Sequence, residues 1–80
     1  MKMKEEIKEV IDGLWDKIYL ELERFDKQYI RLDVDLEMKR VGKAMISIKK
    51  CRKHLEAIDT ALDAIGMLEG LLEDEYEDRD

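Results

Sequence analysis

Residues 11–36, IDGLWDKIYLELERFDKQYIRLDVDL, carry the pattern that decides the fold. Apolar side chains recur in it at alternating spacings of four and three residues, at Ile11, Trp15, Ile18, Leu22, Phe25, Tyr29, Leu32 and Leu36. This spacing is typical of a helix that packs against another helix along one stripe. Gly13 does not change the phase of the stripe, so we expect the helix to continue through it at a cost of about 1 kcal/mol relative to alanine.

The second half of the chain has an apolar stripe of its own. It consists of Val41, Ala44, Ile48, Cys51, Leu55, Ile58, Leu62 and Ile65 and, after Glu69, of Leu72 and Tyr76. Leu36 and Val41 are five residues apart, so the two stripes are out of phase and the chain either turns between them or contains a stutter. The pattern predicts an all-α helical hairpin.

We place the turn of this hairpin at about 32–35, between helices at about 4–31 and 36–72, with Asp33 or Asp35 as the N-cap of the second helix. One helical domain then covers residues 1–72. Lys39, Arg40 and Gly42 indicate a later turn, because a basic last turn and a left-handed glycine are typical of a helix C-terminus.

A different fold is also compatible with the middle of the chain. From Ile30 to Lys39, apolar and charged residues alternate with period two, which is typical of a strand, and residues 45–48 could pair with it around Gly42. The alternative is an α+β arrangement of helix, β-hairpin and helix. Two aspartates and the helix-forming run Leu36 to Arg40 favour the all-α fold.

The length and composition of the chain predict self-association. A chain of 80 residues buries only about 60% of its unfolded surface, so a single copy would be marginally stable. We expect a homodimer or higher oligomer in which two hairpins form an antiparallel four-helix bundle. The predicted interface residues are Trp15, Leu22, Tyr29, Ile48, Leu55 and Leu62. The charged residues and the near absence of amides are also typical of proteins from hot environments.

Charge is distributed in blocks. Residues 1–38 contain seven bases and eleven acids, residues 39–55 contain seven bases and no acid, and residues 56–80 contain one base and ten acids. The acidic residues 73–80 repel one another, so we expect a disordered C-terminal tail.

The basic block allows two interpretations. On a helix whose apolar stripe is centred near Leu55, Lys39, Lys43, Lys50 and Lys53 fall on the solvent side, which predicts a hydrated face. The alternative is a nucleic-acid surface formed by Lys39, Lys43, Lys49, Lys50 and Lys53. No aromatic residue is interleaved among these lysines for base stacking, which favours the hydrated face.

One enzymatic pattern is present. Glu5, Glu6 and Glu9 are followed by Glu23 and Asp26, and this order resembles the EExxE…ExxD signature of the MazG-type nucleotide pyrophosphohydrolases. The resemblance implies carboxylates that hold magnesium for attack on a nucleoside triphosphate. That family brings the two motifs together on separate packed helices, whereas one continuous helix would hold Glu9 and Glu23 about 21 Å apart.

Other chemistry has less support. Cys51 and His54 could supply two zinc ligands, which is half of a site; we expect Cys51 to be a small buried hydrophobe and His54 to lie toward solvent. We predict no catalytic residue and no cofactor. The lone cysteine and the absence of a long apolar segment predict a cytoplasmic protein without a membrane partner. The predicted function is that of a small, non-enzymatic interaction protein that binds a protein partner.

Overall fold

The computed structural model describes the backbone of residues 2–77 and the side chains of residues 3–73. Within that range the chain forms α1, Lys2–Glu37, and α2, Val41–Glu77, joined by a turn at residues 38–40. The two helices run antiparallel and pack along their lengths, in a hairpin with extents of 61 × 15 × 13 Å. The predicted all-α hairpin is confirmed. The β-hairpin alternative is wrong, because residues 30–48 are helical except at the turn.

The turn is built from backbone hydrogen bonds around one left-handed residue, Lys39, whose φ is 56°. The Lys39 N–H donates to the Leu36 carbonyl at 3.1 Å, and the Arg40 N–H donates to the Asp35 carbonyl at 2.8 Å. This pair of bonds is the Schellman arrangement that satisfies the last carbonyls of a helix. The left-handed position is usually glycine, but here it is a lysine, and Gly42 lies inside α2.

The predicted turn at 32–35 is wrong by several residues. Asp35 does not cap α2, because its side chain is buried against that helix and accepts a hydrogen bond of 3.1 Å from the Ser47 hydroxyl. Asp33 is exposed in the last turns of α1. The later turn that Lys39 and Arg40 indicated is close to the observed one.

The second helix ends later than predicted. It continues to Glu77, five residues beyond the expected end at residue 72. Glutamate is a good helix former and no proline follows Gly70, so nothing in the local sequence stops the helix earlier. Residues 78–80 of the predicted tail lie outside the described residues.

The helices meet along one line of side chains, which we call the inner seam. In α1 the seam consists of Ile11, Leu14, Ile18, Glu21, Phe25, Gln28, Leu32 and Asp35, and in α2 of Ala44, Ser47, Cys51, His54, Ile58, Ala61, Ile65, Leu68 and Leu72. The spacing alternates between three and four residues, as predicted. Every second position differs from the predicted stripe, however, because the seam uses Leu14 and Glu21 in place of Trp15 and Leu22.

The apolar core of a single hairpin is small. Ile11, Ile18, Ala61 and Ile65 form one buried cluster near the open end, and Ala44 and Cys51 are buried nearer the turn. Among the described residues no large side chain is completely buried. Many large apolar side chains are exposed and alternate with charged residues. Over the described residues, neither helix has a segment long and apolar enough to span a bilayer.

We expect Lys39→Gly to stabilise the fold. A residue with a Cβ is strained in the left-handed region by roughly 1–2 kcal/mol, and glycine is not. Part of the gain is lost to the greater freedom of glycine in the unfolded chain, so the expected increase in the free energy of unfolding is about 1 kcal/mol. Urea denaturation followed by circular dichroism at fixed protein concentration measures it.

The matched control for this substitution is Lys39→Ala, which removes the same charged side chain but keeps the Cβ. It should leave the free energy of unfolding nearly unchanged. Equal stabilities of the two variants would show that the left-handed residue does not limit the turn.

Candidate functional site

A row of apolar side chains lies just outside the inner seam on each helix. Each row residue follows a seam residue by one position, and together they are Trp15, Leu22, Tyr29 and Leu36 in α1 and Ile48, Leu55 and Leu62 in α2. We call these seven residues the apolar face. Six are exposed in the single hairpin, from 37% for Trp15 to 57% for Tyr29 and Leu36, and Ile48 is half-buried.

The two rows of the apolar face point to the same side of the hairpin. One residue is a rotation of about 100° around a helix. Because α1 and α2 face each other and run in opposite directions, the residue that follows a seam residue points to the same side of the hairpin on both helices. All six predicted interface residues therefore belong to the same face.

Aromatic rings enlarge this face. Trp15 and Tyr19 have ring centroids 6.4 Å apart, and Phe25 and Tyr29 are stacked with centroids 6.1 Å apart. Tyr19 is also exposed and, like Trp15, follows a seam residue. Exposed aromatic side chains with a polar atom at their tip are enriched at protein interfaces.

Basic residues lie on the opposite side of the hairpin, next to the turn. Arg31, Lys43 and Lys50 each precede a seam residue by one position, so the same rotation places them away from the apolar face. They line a cavity of about 330 Å³ between the helices, which we call the basic groove. Its lining residues are Arg31, Asp35, Arg40, Lys43, Ile46, Ser47 and Lys50.

The wall of the basic groove is formed by a buried polar pair. Asp35 and Ser47 are 5% and 3% exposed, and the Ser47 hydroxyl donates to the Asp35 carboxylate at 3.1 Å. The other oxygen of Asp35 lies 3.9 Å from the Arg40 guanidinium. The buried carboxylate is thus hydrogen-bonded to α2 through Ser47 and lies within ion-pair distance of one cation of the groove.

The predicted basic residues are divided by this geometry. Lys43 and Lys50 are exposed to solvent, as expected, and they also line the groove, because each precedes a seam residue by one position. Lys39 belongs to the turn, and Lys49 and Lys53 are exposed outside the groove lining.

Two cations of the groove were missing from the predicted set. Arg40 belongs to the basic block of residues 39–55 but was not among the five predicted lysines, and Arg31 lies on α1, outside that block.

A second polar pair crosses the seam near its middle. His54 Nδ1 lies 2.7 Å from Glu21 Oε2, and since a carboxylate only accepts, the proton is on Nδ1. The expectation that His54 lies toward solvent is therefore wrong. The hydrogen bond from His54 lowers the pKa of Glu21 below its ordinary value; partial burial opposes that shift, and Arg24, 3.3 Å from the other oxygen, adds to it.

The structure does not assemble the metal ligands considered from the sequence. Glu5, Glu6, Glu9, Glu23 and Asp26 are spread along the uninterrupted helix α1, which continues through Gly13. Cys51 is buried as expected, and His54 is bonded to Glu21. Among the described residues, no three His, Cys, Asp or Glu side chains are placed to hold a metal ion together.

Comparison of the chain with protein-family models, with curated proteins and with solved structures gave no match. The candidate sites are therefore defined by geometry alone: the apolar face on one side of the hairpin and the basic groove on the other.

We expect Glu21→Gln to reduce the sensitivity of the fold to acid. Because the pKa of Glu21 is lowered in the folded state, ionised Glu21 contributes stability that is fully present above the unfolded value of about 4.3 and is lost as the pH falls through the folded value. The difference in thermal midpoint between wild type and variant should be constant down to about pH 5 and shrink as the pH falls further.

Glu23→Gln is the control, because Glu23 is exposed on the same helix and the substitution removes the same charge. Melting followed by circular dichroism at several pH values gives both differences. If the two variants show the same pH dependence, the hydrogen bond between His54 and Glu21 does not contribute to acid sensitivity.

Proposed function

We propose that this protein is a non-enzymatic interaction protein that works as an antiparallel homodimer, a four-helix bundle of two hairpins, and binds a protein partner. The observation that supports it is the apolar face, which places two parallel rows of large side chains on one side of the hairpin. A hairpin with a small core and an apolar face of this kind supplies half of the core of a four-helix bundle.

A second copy is the occupant that fits this face best. An interface around a two-fold axis buries the same surface on both partners, and two ridges on one hairpin match two ridges on another. Packing the two faces together would bury Trp15, Leu22 and Leu55 of both copies. Each large apolar side chain removed from water contributes about 1.5–3 kcal/mol of stability, so this contact compensates for the small core of the single hairpin.

The distribution of charge favours an antiparallel dimer. Residues 39–55, at the turn end, contain seven bases and no acid, whereas residues 56–80, toward the open end, contain ten acids and one base. In an antiparallel dimer the turn end of each copy lies beside the open end of the other, so that opposite charges are neighbours. A parallel dimer would bring like charges together, which is unfavourable.

The assignment to protein binding rests on what the dimer leaves outside. With the apolar faces covered, the outer surfaces would carry charged residues together with exposed apolar side chains such as Ile30, Val34 and Met67, which suits recognition of a protein partner. The magnesium-dependent alternative that resembles MazG requires carboxylates on two packed helices, and the five residues concerned lie on α1 alone. Nucleic-acid binding by the five predicted lysines is less well supported, because only Lys43 and Lys50 share one groove.

We expect Leu22→Glu to break the dimer. Leu22 is 43% exposed in the hairpin, so a glutamate is tolerated in the monomer, but in the dimer two buried charges would face an apolar core. Losing one apolar contact from each copy raises the dissociation constant about a hundredfold or more. Sedimentation or light scattering after gel filtration, over a range of concentrations, measures the change.

The control is Leu20→Glu, the same substitution on the same helix. Leu20 has a similar exposure of 47%, but it lies on the side of the hairpin opposite the apolar face. It should leave the dimer intact. A wild-type chain that stays monomeric at high micromolar concentration would refute the homodimer, and equal effects of the two variants would place the interface elsewhere.

A further inference from the structure

The basic groove concentrates positive charge in an acidic protein. The chain has a net charge of −6, yet four cations and one carboxylate line this single cavity. The cations come from three parts of the chain: Arg31 from α1, Arg40 from the turn, and Lys43 and Lys50 from α2. Lys43 and Lys50 are seven residues apart, which is two helical turns, so both lie on the same side of α2 and line the same cavity.

Most of this charge is not neutralised inside the hairpin. Among the side chains that the structure describes, the ion pairs involve Arg24, Arg40 and His54, and not Arg31, Lys43 or Lys50. Asp35, the carboxylate of the groove, is already shared between Ser47 and Arg40. Like charges held close together lower stability, and an anion bound between them would recover that loss.

The groove has the features of a formed site. Its volume of about 330 Å³ is at the small end of the range of about 300–1,000 Å³ that is typical of small-molecule sites. The buried, hydrogen-bonded pair of Asp35 and Ser47 forms its wall, and the same carboxylate lies 3.9 Å from the Arg40 guanidinium.

We propose that the basic groove binds a compact phosphate group, as inorganic phosphate, pyrophosphate or a small phosphate ester. Arginine and lysine together are the side chains that recognise phosphate, with the guanidinium donating paired hydrogen bonds and the ammonium supplying a point charge. A phosphate carries up to two negative charges and matches the excess of cations better than a single carboxylate does. Ile46, exposed at the lining, offers an apolar contact for the organic part of an ester.

This inference does not rest on the homodimer. The groove and the apolar face are on opposite sides of the hairpin, so dimerisation would leave the groove open to solvent. A chain that fails to dimerise can still bind phosphate, and a dimer can fail to bind it. The two proposals are therefore tested by different measurements.

The test is titration of the full chain with sodium phosphate and with pyrophosphate at low ionic strength, followed by calorimetry and by amide chemical shifts. We expect saturable binding, with shifts concentrated at residues 31–50, and a thermal midpoint that rises with phosphate, because the anion binds only the folded state. The double substitution Lys43→Ala/Lys50→Ala should weaken binding about tenfold or more.

The matched control is Lys49→Ala/Lys53→Ala, which removes two lysines from the same helix and changes the net charge equally, but outside the groove lining. It should weaken binding less than about threefold, the effect of distant charges in water. Circular dichroism of both variants checks that each is folded, and the shifts of the wild-type protein locate the site without any substitution.

Three results would overturn the proposal. One is the absence of saturable binding of either anion at low salt. Another is an equal loss in the two double variants, which indicates diffuse attraction. The third is tighter binding of a single-stranded oligonucleotide than of pyrophosphate, lost equally in both variants, which would make the surface an extended nucleic-acid contact. A phosphate ester that binds more tightly than inorganic phosphate would identify an organic ligand.

Discussion

The contact of α1 with α2 along one seam determines every other surface of this protein. Ile11 and Ile18 pack against Ala61 and Ile65, and this cluster fixes the rotation of both helices about their own axes. Once that rotation is fixed, residues that follow a seam position point to one side of the hairpin and residues that precede it point to the other. The apolar face and the basic groove are consequences of this rotation.

The fold class was predictable from spacing alone, but the rotation of the helices was not. Starting from Ile11, a stripe can continue with a step of four residues followed by three, or with a step of three followed by four. Both stripes are helical, and they differ by one residue at every second position. The sequence favoured Trp15 and Leu22 over Leu14 and Glu21, because the former are the more apolar pair. In the observed seam the carboxylate of Glu21 has a hydrogen-bond partner in His54, on the facing helix.

The same polar partners explain why the turn was misplaced. Asp35 has the character of an N-cap, and only the buried hydroxyl of Ser47 across the seam explains its place inside α1. Complementary polar residues on the two sides of the turn, Asp35 with Ser47 and Glu21 with His54, were a signal that apolar periodicity does not contain. The basic groove was partly predictable for the same reason: Lys43 and Lys50 belong to an obvious run, whereas Arg31 joins them only when the chain folds back.

The polar residues in the seam also favour one register of the two helices over others. Glu21, Gln28 and Asp35 recur every seven residues, and the Gln28 side-chain oxygen is buried without a hydrogen-bond partner among the described residues. Sliding one helix by a turn would separate His54 from Glu21 and Ser47 from Asp35, and would leave the buried Asp35 carboxylate and the partly buried Glu21 carboxylate without these hydrogen bonds, which costs more than the paired state gains. These pairs thus disfavour other registers more than they stabilise the observed one.

If the chain pairs as an antiparallel dimer, the groove and the dimer influence each other through charge. The basic turn end of one copy then lies beside the acidic open end of the other, about one helix layer of 8–10 Å away, which is comparable to the Debye length near physiological salt. The partner's acids lower the positive potential at the groove, so an anion would bind the monomer more tightly than the dimer. Thermodynamic reciprocity then requires that a bound anion weaken the dimer by the same factor. Because the apolar face and the basic groove lie on opposite sides of the hairpin, dimerisation does not block the groove sterically. Anion binding and dimerisation nevertheless remain coupled through electrostatic interactions.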